Sequence, residues 1–183
     1  MPRITPVTLN QTDDATSATL NAVKDKIGMI PNLFSTLALA PAALNGYLTL
    51  SDALEKGRLS ARQREVIALA VSQINACQYC LSAHTLIGKG AGLSEADTID
   101  ARNGQSNDPL ENAIASLAIK IVRQQGRLSD DELNAARSAK LDDALIMEIV
   151  ANVALTLLSN FTNNIASTDI DFPLVNVEFN HAA

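Results

Sequence analysis

A chain of 183 residues has room for one domain with a substantial core, and two full-sized domains would be crowded in it. Hydrophobic residues make up 47% of it but aromatic residues only 3%, with no tryptophan, so Ala, Leu and Ile carry an apolar mass that favours close-packed helices over a sandwich or barrel. The formal charge of −6, unbroken by any basic stretch, argues against nucleic acid and anionic lipid as partners.

In chain order, residues 1–13 read as an arm in which Pro2 and Pro6 discourage a helix. Helical spacing over 14–27 ends at Gly28. Asn32 and Pro41 then divide the next stretch into a short helix and a longer one running to about Glu55. Ser60 with Gln63 opens a helix that continues to Ile74. Asn75, again with a Gln three residues on (Gln78), is read as the cap of a new helix over about 76–88, stopped by GKGAG. Ser94 caps a short helix to 101, with Asp97 counted only as a favourable first-turn charge because its side chain is shorter than that of Glu or Gln. Asp108 and Pro109 start a helix to Gln125, and Ser129 with Glu132 forms a capping box for another short one. Leu141 to about Ser167 is the longest apolar stretch. Glu148 and Asn152 within it favour a core helix over a membrane span. Residues 168–183 read as an irregular tail. The expectation is a single all-α domain over 1–183, and the absence of an apolar segment near the N-terminus makes it cytoplasmic.

The chemistry concentrates in REVIALAVSQINACQYCLSAHT, residues 64–85, which holds both cysteines and one of the two histidines. Residues three and four apart share a helix face, so Cys77, Cys80 and His84 can lie together. C-x-x-C is a spacing for a reversible disulfide with a lowered thiol pKa, and an imidazole one turn on can take a thiol proton. Helix position favours the thiolate of Cys77, while Cys80 lies nearer His84, so spacing leaves the attacking thiol undecided. Glu65 sits on the preceding helix, and a break near Asn75 would fold it back towards the cysteine–histidine face. Redox chemistry, a zinc site made by Cys77, Cys80, His84 and Glu65, and buried inert thiols all remain open from spacing alone. His181, the other histidine, lies near the terminus. Tyr79 is a hydrogen-bond donor or an interface aromatic. Asn160, Asn163 and Asn164 cap, line a pocket or face solvent, with nothing to choose among these. No phosphate-cradling loop is visible, and no nucleotide or flavin cofactor is expected.

The combined spacing Glu65-x11-Cys77-x2-Cys80-x3-His84, together with IGMIPNLFSTLALAP (27–41) and NFTNNIASTDIDFP (160–173), resembles the AhpD-like part of the carboxymuconolactone decarboxylase superfamily, and more closely its peroxidase-related enzymes. The resemblance spans about residues 20–175. It implies an AhpD-like helical fold with the C-x-x-C at the start of a core helix, assembly as a homotrimer or homohexamer, and a cofactor-free thiol peroxidase acting on hydrogen peroxide or small alkyl hydroperoxides. On family grounds Cys80 is the peroxidatic thiol, Cys77 the resolving thiol, His84 the base and Glu65 the end of the proton relay. An external dithiol, thioredoxin-like or lipoyl-bearing, would restore the pair. Where the best-studied peroxidases have a histidine just before the second cysteine, this chain has Tyr79, so a relay there would need the phenol within reach. The alternatives are a protein disulfide reductase or redox sensor using the same pair, and a non-catalytic helical oligomer. The decarboxylase branch generally lacks paired thiols.

Overall fold

The computed structural model describes residues 1–177; His181 and the end of the tail lie outside them. Among the described residues the regular structure is helical: α1 (Asp14–Ile27), α2 (Asn32–Leu37), α3 (Pro41–Glu55), α4 (Ala61–Ile74), α5 (Gln78–Gly90), α6 (Glu95–Arg102), α7 (Pro109–Gln124), α8 (Asp130–Ser138) and α9 (Asp143–Ala166), with a 3-10 turn at Leu9–Gln11 in the arm.

The helix starts are set locally. The side chains of Asp13, Ser60, Ser94, Asp108, Ser129 and Asp142 each accept a backbone N–H of the turn they open. Asp97 does more than expected. Its carboxylate accepts the Ser94 N–H at 2.9 Å while Ser94 Oγ accepts the Asp97 N–H at 3.1 Å, so the shorter acid closes a full capping box. Gly28 ends α1 at φ +84°, a left-handed cap that favours glycine.

Helix α4 is the centre of the fold. Val66 through Ser72 are all buried, because α5, α6, α7 and α9 pack around it. That surrounds a short helix on every side and explains the uninterrupted run VIALAVS. One cluster joins α4 to α7, α8 and α9 through Ile67, Val71, Ile114, Ala136, Ile149 and Val153. A second gathers Leu20, Leu33, Leu37 and Leu44 of α1–α3 around Cys77, Tyr79 and Cys80. Helix α9 is long and apolar enough to cross a membrane by length and composition, yet 44% of its most apolar window is buried inside the protein. Its buried face includes Asn152, Thr156, Ser159, Asn160 and Asn163.

The joint between α4 and α5 corrects one expectation. Asn75 is not an N-cap: its N–H bonds back to the Val71 carbonyl at 3.1 Å, so it closes α4. Ala76 then turns through φ +50°, a left-handed conformation, and Cys77 caps α5, which runs Gln78–Gly90 and not 76–88. Gln78 accordingly does not serve an Asn75 capping box. Its side chain donates to Asn176 Oδ1 at 3.1 Å instead.

The N-terminal arm and the described part of the tail pack back on this core. The Arg3 N–H donates to the Ala166 carbonyl at 2.6 Å and the Val7 N–H to the Ser35 carbonyl at 3.1 Å. In the tail, Asp171 accepts the Asn32 N–H at 2.7 Å, which places a carboxylate at the start of α2. The Val175 N–H reaches Ser82 Oγ at 3.0 Å, and the guanidinium of Arg102 holds the Asn176 carbonyl at 2.9 Å.

Candidate active site

Cys77 and Cys80 are joined as a disulfide across the first turn of α5, with Cα atoms 5.3 Å apart. As the cap residue, Cys77 also uses its sulfur to accept the Cys80 N–H at 3.3 Å. This is the position of a serine or aspartate cap, and it offers a Cys77 thiolate the positive end of α5. Cys77 therefore stands just ahead of the helix, not inside its first turn. Both sulfur-bearing residues are deeply buried, Cys77 at 0% and Cys80 at 2% exposure.

Helices α4 and α5 pack against each other and carry Glu65 to His84, where Oε2 lies 2.8 Å from Nδ1. Gly88, one turn beyond His84, leaves room for the Leu93 side chain against α5. A Cβ at that position would meet Leu93 Cδ1 at 2.8 Å and Glu65 Cβ at 3.6 Å. Burial disfavours the imidazolium, but the Glu65 charge and its hydrogen bond outweigh that penalty and raise the His84 pKa above its ordinary value. With Nδ1 engaged by Glu65, Nε2 is the nitrogen left for proton exchange. His84 is four residues beyond Cys80 on one helix, so the two share a face.

Tyr79 is placed elsewhere. Its hydroxyl accepts the Leu33 N–H at 3.2 Å in the first turn of α2, and its ring meets Phe172 edge-on at 5.6 Å. Burial, with the nearby Asp171 charge, drives its pKa upward, which keeps the phenol neutral. Tyr47, not singled out in the sequence, is pushed up to about 12 by burial and by the charge of Glu65, against a hydrogen bond from Ser159.

The asparagines of α9 have specific tasks. Asn160, fully buried, donates to Ser72 Oγ at 3.1 Å and accepts from Asn75 Nδ2 at 2.9 Å. Asn164 donates to the Asn75 carbonyl at 2.9 Å. Asn163 reaches the disulfide itself: its Nδ2 lies 3.3 Å from Cys80 Sγ. One turn of α9 thus clasps the α4–α5 joint and contacts the second sulfur. The only signal in the sequence was polar residues inside an otherwise apolar helix.

Among the described residues no group of three or more His, Cys, Asp and Glu is arranged to hold a metal ion. The two sulfurs are bonded to each other and His84 Nδ1 is engaged by Glu65, so these four side chains form a disulfide beside a hydrogen-bonded Glu–His pair.

Residues 40–119 match the carboxymuconolactone decarboxylase family, a span that contains Glu65, Cys77, Cys80 and His84. Among solved structures, the chain is similar to an alkylhydroperoxidase AhpD core, an uncharacterized peroxidase-related protein from Ralstonia eutropha. The two share 26% identity over 93% of this chain and 92% of the other, with a TM-score of 0.84. A peroxidase-related protein from a Silicibacter species shares the fold at 23% identity, 91% coverage of each chain and a TM-score of 0.79. The debrominase Bmp8, seen with 2,3,4-tribromopyrrole in a cysteine-to-alanine variant, shares it at 16% identity over 92% of this chain and 91% of its own, with a TM-score of 0.76. No functionally curated protein matches the chain in sequence. The thiol-bearing helices thus carry the carboxymuconolactone decarboxylase family match, and the chain as a whole is similar to the AhpD core.

Proposed function

We propose that the protein is a dithiol peroxidase for hydrogen peroxide or small alkyl hydroperoxides. One observation carries the reading: a Cys77–Cys80 disulfide at the head of α5 lies one turn from an imidazole made more basic by Glu65. In the reduced protein, His84 takes the Cys80 proton. The Cys80 thiolate attacks the terminal oxygen of the hydroperoxide; the S–O bond forms, the O–O bond breaks, and the alkoxide leaves as an alcohol once it takes up a proton. Cys77 then attacks the sulfur of the resulting sulfenic acid, expelling water and closing the disulfide. Two electrons from an external dithiol restore the pair.

The assignment of Cys80 as the attacking thiol rests on the family resemblance. Two contacts accord with it: Asn163 offers Cys80 an amide donor, and Cys77, at the cap, stands at the positive end of the helix as the resolving thiolate. Burial of both residues favours small oxidants over a protein disulfide, because a macromolecular partner would have to reach sulfur at 0–2% exposure. The same burial favours a slender lipoyl arm over a thioredoxin-like face as the reductant.

The proposal extends to self-association. Met147, Val150, Leu158, Phe161 and Ile165 are exposed at helical spacing along the outer face of α9, an apolar stripe suited to a second copy of the chain.

Peroxide treatment of a reduced Cys77→Ala variant, followed by a dimedone-type trap and intact-mass analysis, tests the chemistry. The adduct of a sulfenic acid at Cys80 is expected. Its absence, alongside fast exchange with protein disulfides, would favour the reductase reading.

A further inference from the structure

An open cleft of about 270 Å³ lies between the start of α5 and the end of α9, lined by the polar Gln78, Asn163, Asn164, Ser167 and Thr168 together with Ala76, Tyr79 and Ile170, and Asn163 joins it to the disulfide. Two of these carry a buried oxygen with no hydrogen-bond partner among the described residues: Asn163 Oδ1, on a residue 3% exposed, and Thr168 Oγ1, on a residue 8% exposed. A buried polar oxygen left bare is costly, so a small donor admitted from the cleft would relieve both sites. The other end of the same amide is committed, Nδ2 lying 3.3 Å from Cys80 Sγ. The position of Asn163 is fixed by the end of α9: Ser167 turns into the left-handed region at φ +49°, and the N–H groups of Ser167 and Thr168 both return to the Asn163 carbonyl.

We infer that this cleft is the hydroperoxide-binding site, with Asn163 bridging the Cys80 sulfur and the oxygen it attacks. The inference rests on the peroxidase reading and adds to it the substrate's contacts. Asn163 Nδ2 donates to the Cys80 thiolate while Oδ1 accepts the O–H of the terminal oxygen. That proton stays on the oxygen as the S–O bond forms and becomes the sulfenic acid hydrogen. The Thr168 hydroxyl donates to the second oxygen, which gathers charge as the O–O bond breaks and leaves as an alcohol after protonation. The small cleft, with Gln78, Asn164 and Ser167 facing Ala76, Tyr79 and Ile170, suits hydrogen peroxide or a short alkyl hydroperoxide better than a bulky one.

The test uses the full chain with Cys77→Ala, so that Cys80 reacts alone, and compares Asn163→Ala and Thr168→Val with that parent. Oxidation of Cys80 by hydrogen peroxide is followed by stopped flow. Alkylation by iodoacetamide, which has no O–H to be held, is measured at a pH where the thiolate is fully formed. Asn163→Ala is expected to slow peroxide oxidation about 10- to 100-fold, as for a lost hydrogen bond to a charged group, and Thr168→Val about 3- to 10-fold, with alkylation changed less than about 3-fold in both. Equal losses in both reactions, or no loss in either, would overturn the inference. If Asn163→Ala fails to fold, Thr168→Val decides by the same criterion. A parent Cys80 no faster with peroxide than a free cysteine removes the peroxidase reading and this inference with it. A fast parent with unaffected variants removes this inference alone.

Discussion

Glu65 Oε2 and His84 Nδ1 stand 2.8 Å apart although the residues are 19 positions apart in sequence, because the turn at Asn75–Cys77 folds α5 back along α4. The contact makes a carboxylate on one helix set the basicity of an imidazole on the next.

Removing that charge leaves burial as the main influence on His84. In Glu65→Gln the His84 pKa is therefore expected to fall below its wild-type value, as followed by NMR titration of the imidazole. The sign also governs stability. His84 titrates higher in the folded than in the unfolded chain, so the contribution of the pair is full below the unfolded value of about 6.5 and is lost as pH rises through the folded pKa. Denaturant melts should show wild type exceeding Glu65→Gln by more at pH 6 than at pH 9. A gap that widens with pH would refute the ion-pair account.

Tyr79→Phe separates a structural phenol from a proton relay. The substitution leaves the Leu33 N–H without its acceptor, so a loss of about 1–3 kcal/mol in stability is expected. Peroxide-driven oxidation should remain within about two-fold of wild type, since the hydroxyl serves α2 and not His84. A collapse of the rate in a folded variant would restore Tyr79 to the relay.

Asn160→Ala tests the clasp on the α4–α5 joint. A buried hydrogen bond to Ser72 and a partly buried one from Asn75 vanish together, and about 2–3 kcal/mol of stability should go with them. Urea unfolding measures this, and a loss under about 0.5 kcal/mol would mean that the joint is held by packing alone.

Self-association through α9 predicts that Phe161→Glu with Ile165→Glu converts an oligomer to a monomer in light scattering coupled to size exclusion. Each side chain is more than half exposed in the single chain, so the fold itself should survive. A wild type already monomeric at micromolar concentration would dispose of the interface.

The helices were legible because their starts are local chemistry: Ser60 with Gln63 and Ser129 with Glu132 satisfy free amides from within four residues. The α4–α5 joint was not. Asn75 and Cys77 are both plausible caps, and what fixes Asn75 at the end of α4 comes from Asn160 and Asn164, 85 and 89 residues away. Helical periodicity put Cys77, Cys80 and His84 on one face, but the approach of Glu65 depended on a fold-back that spacing alone leaves open. Asn163 was equally out of reach. A buried asparagine in an apolar run signals that something needs it, and only the packing of α9 against α5 shows that its partner is Cys80. The tail looked irregular because its order comes from single contacts with Asn32, Ser82 and Arg102 rather than from a repeating pattern.

The most direct measurement is the rate of peroxide-driven Cys77–Cys80 closure, by rapid quench and intact mass, on reduced wild type, Cys77→Ala and Cys80→Ala. The account predicts fast closure in wild type, a sulfenic acid that persists in Cys77→Ala, and a Cys80→Ala variant as slow as an ordinary thiol. Wild-type closure no faster than that of an ordinary dithiol, or a Cys80→Ala variant that still reacts rapidly at Cys77, would contradict it.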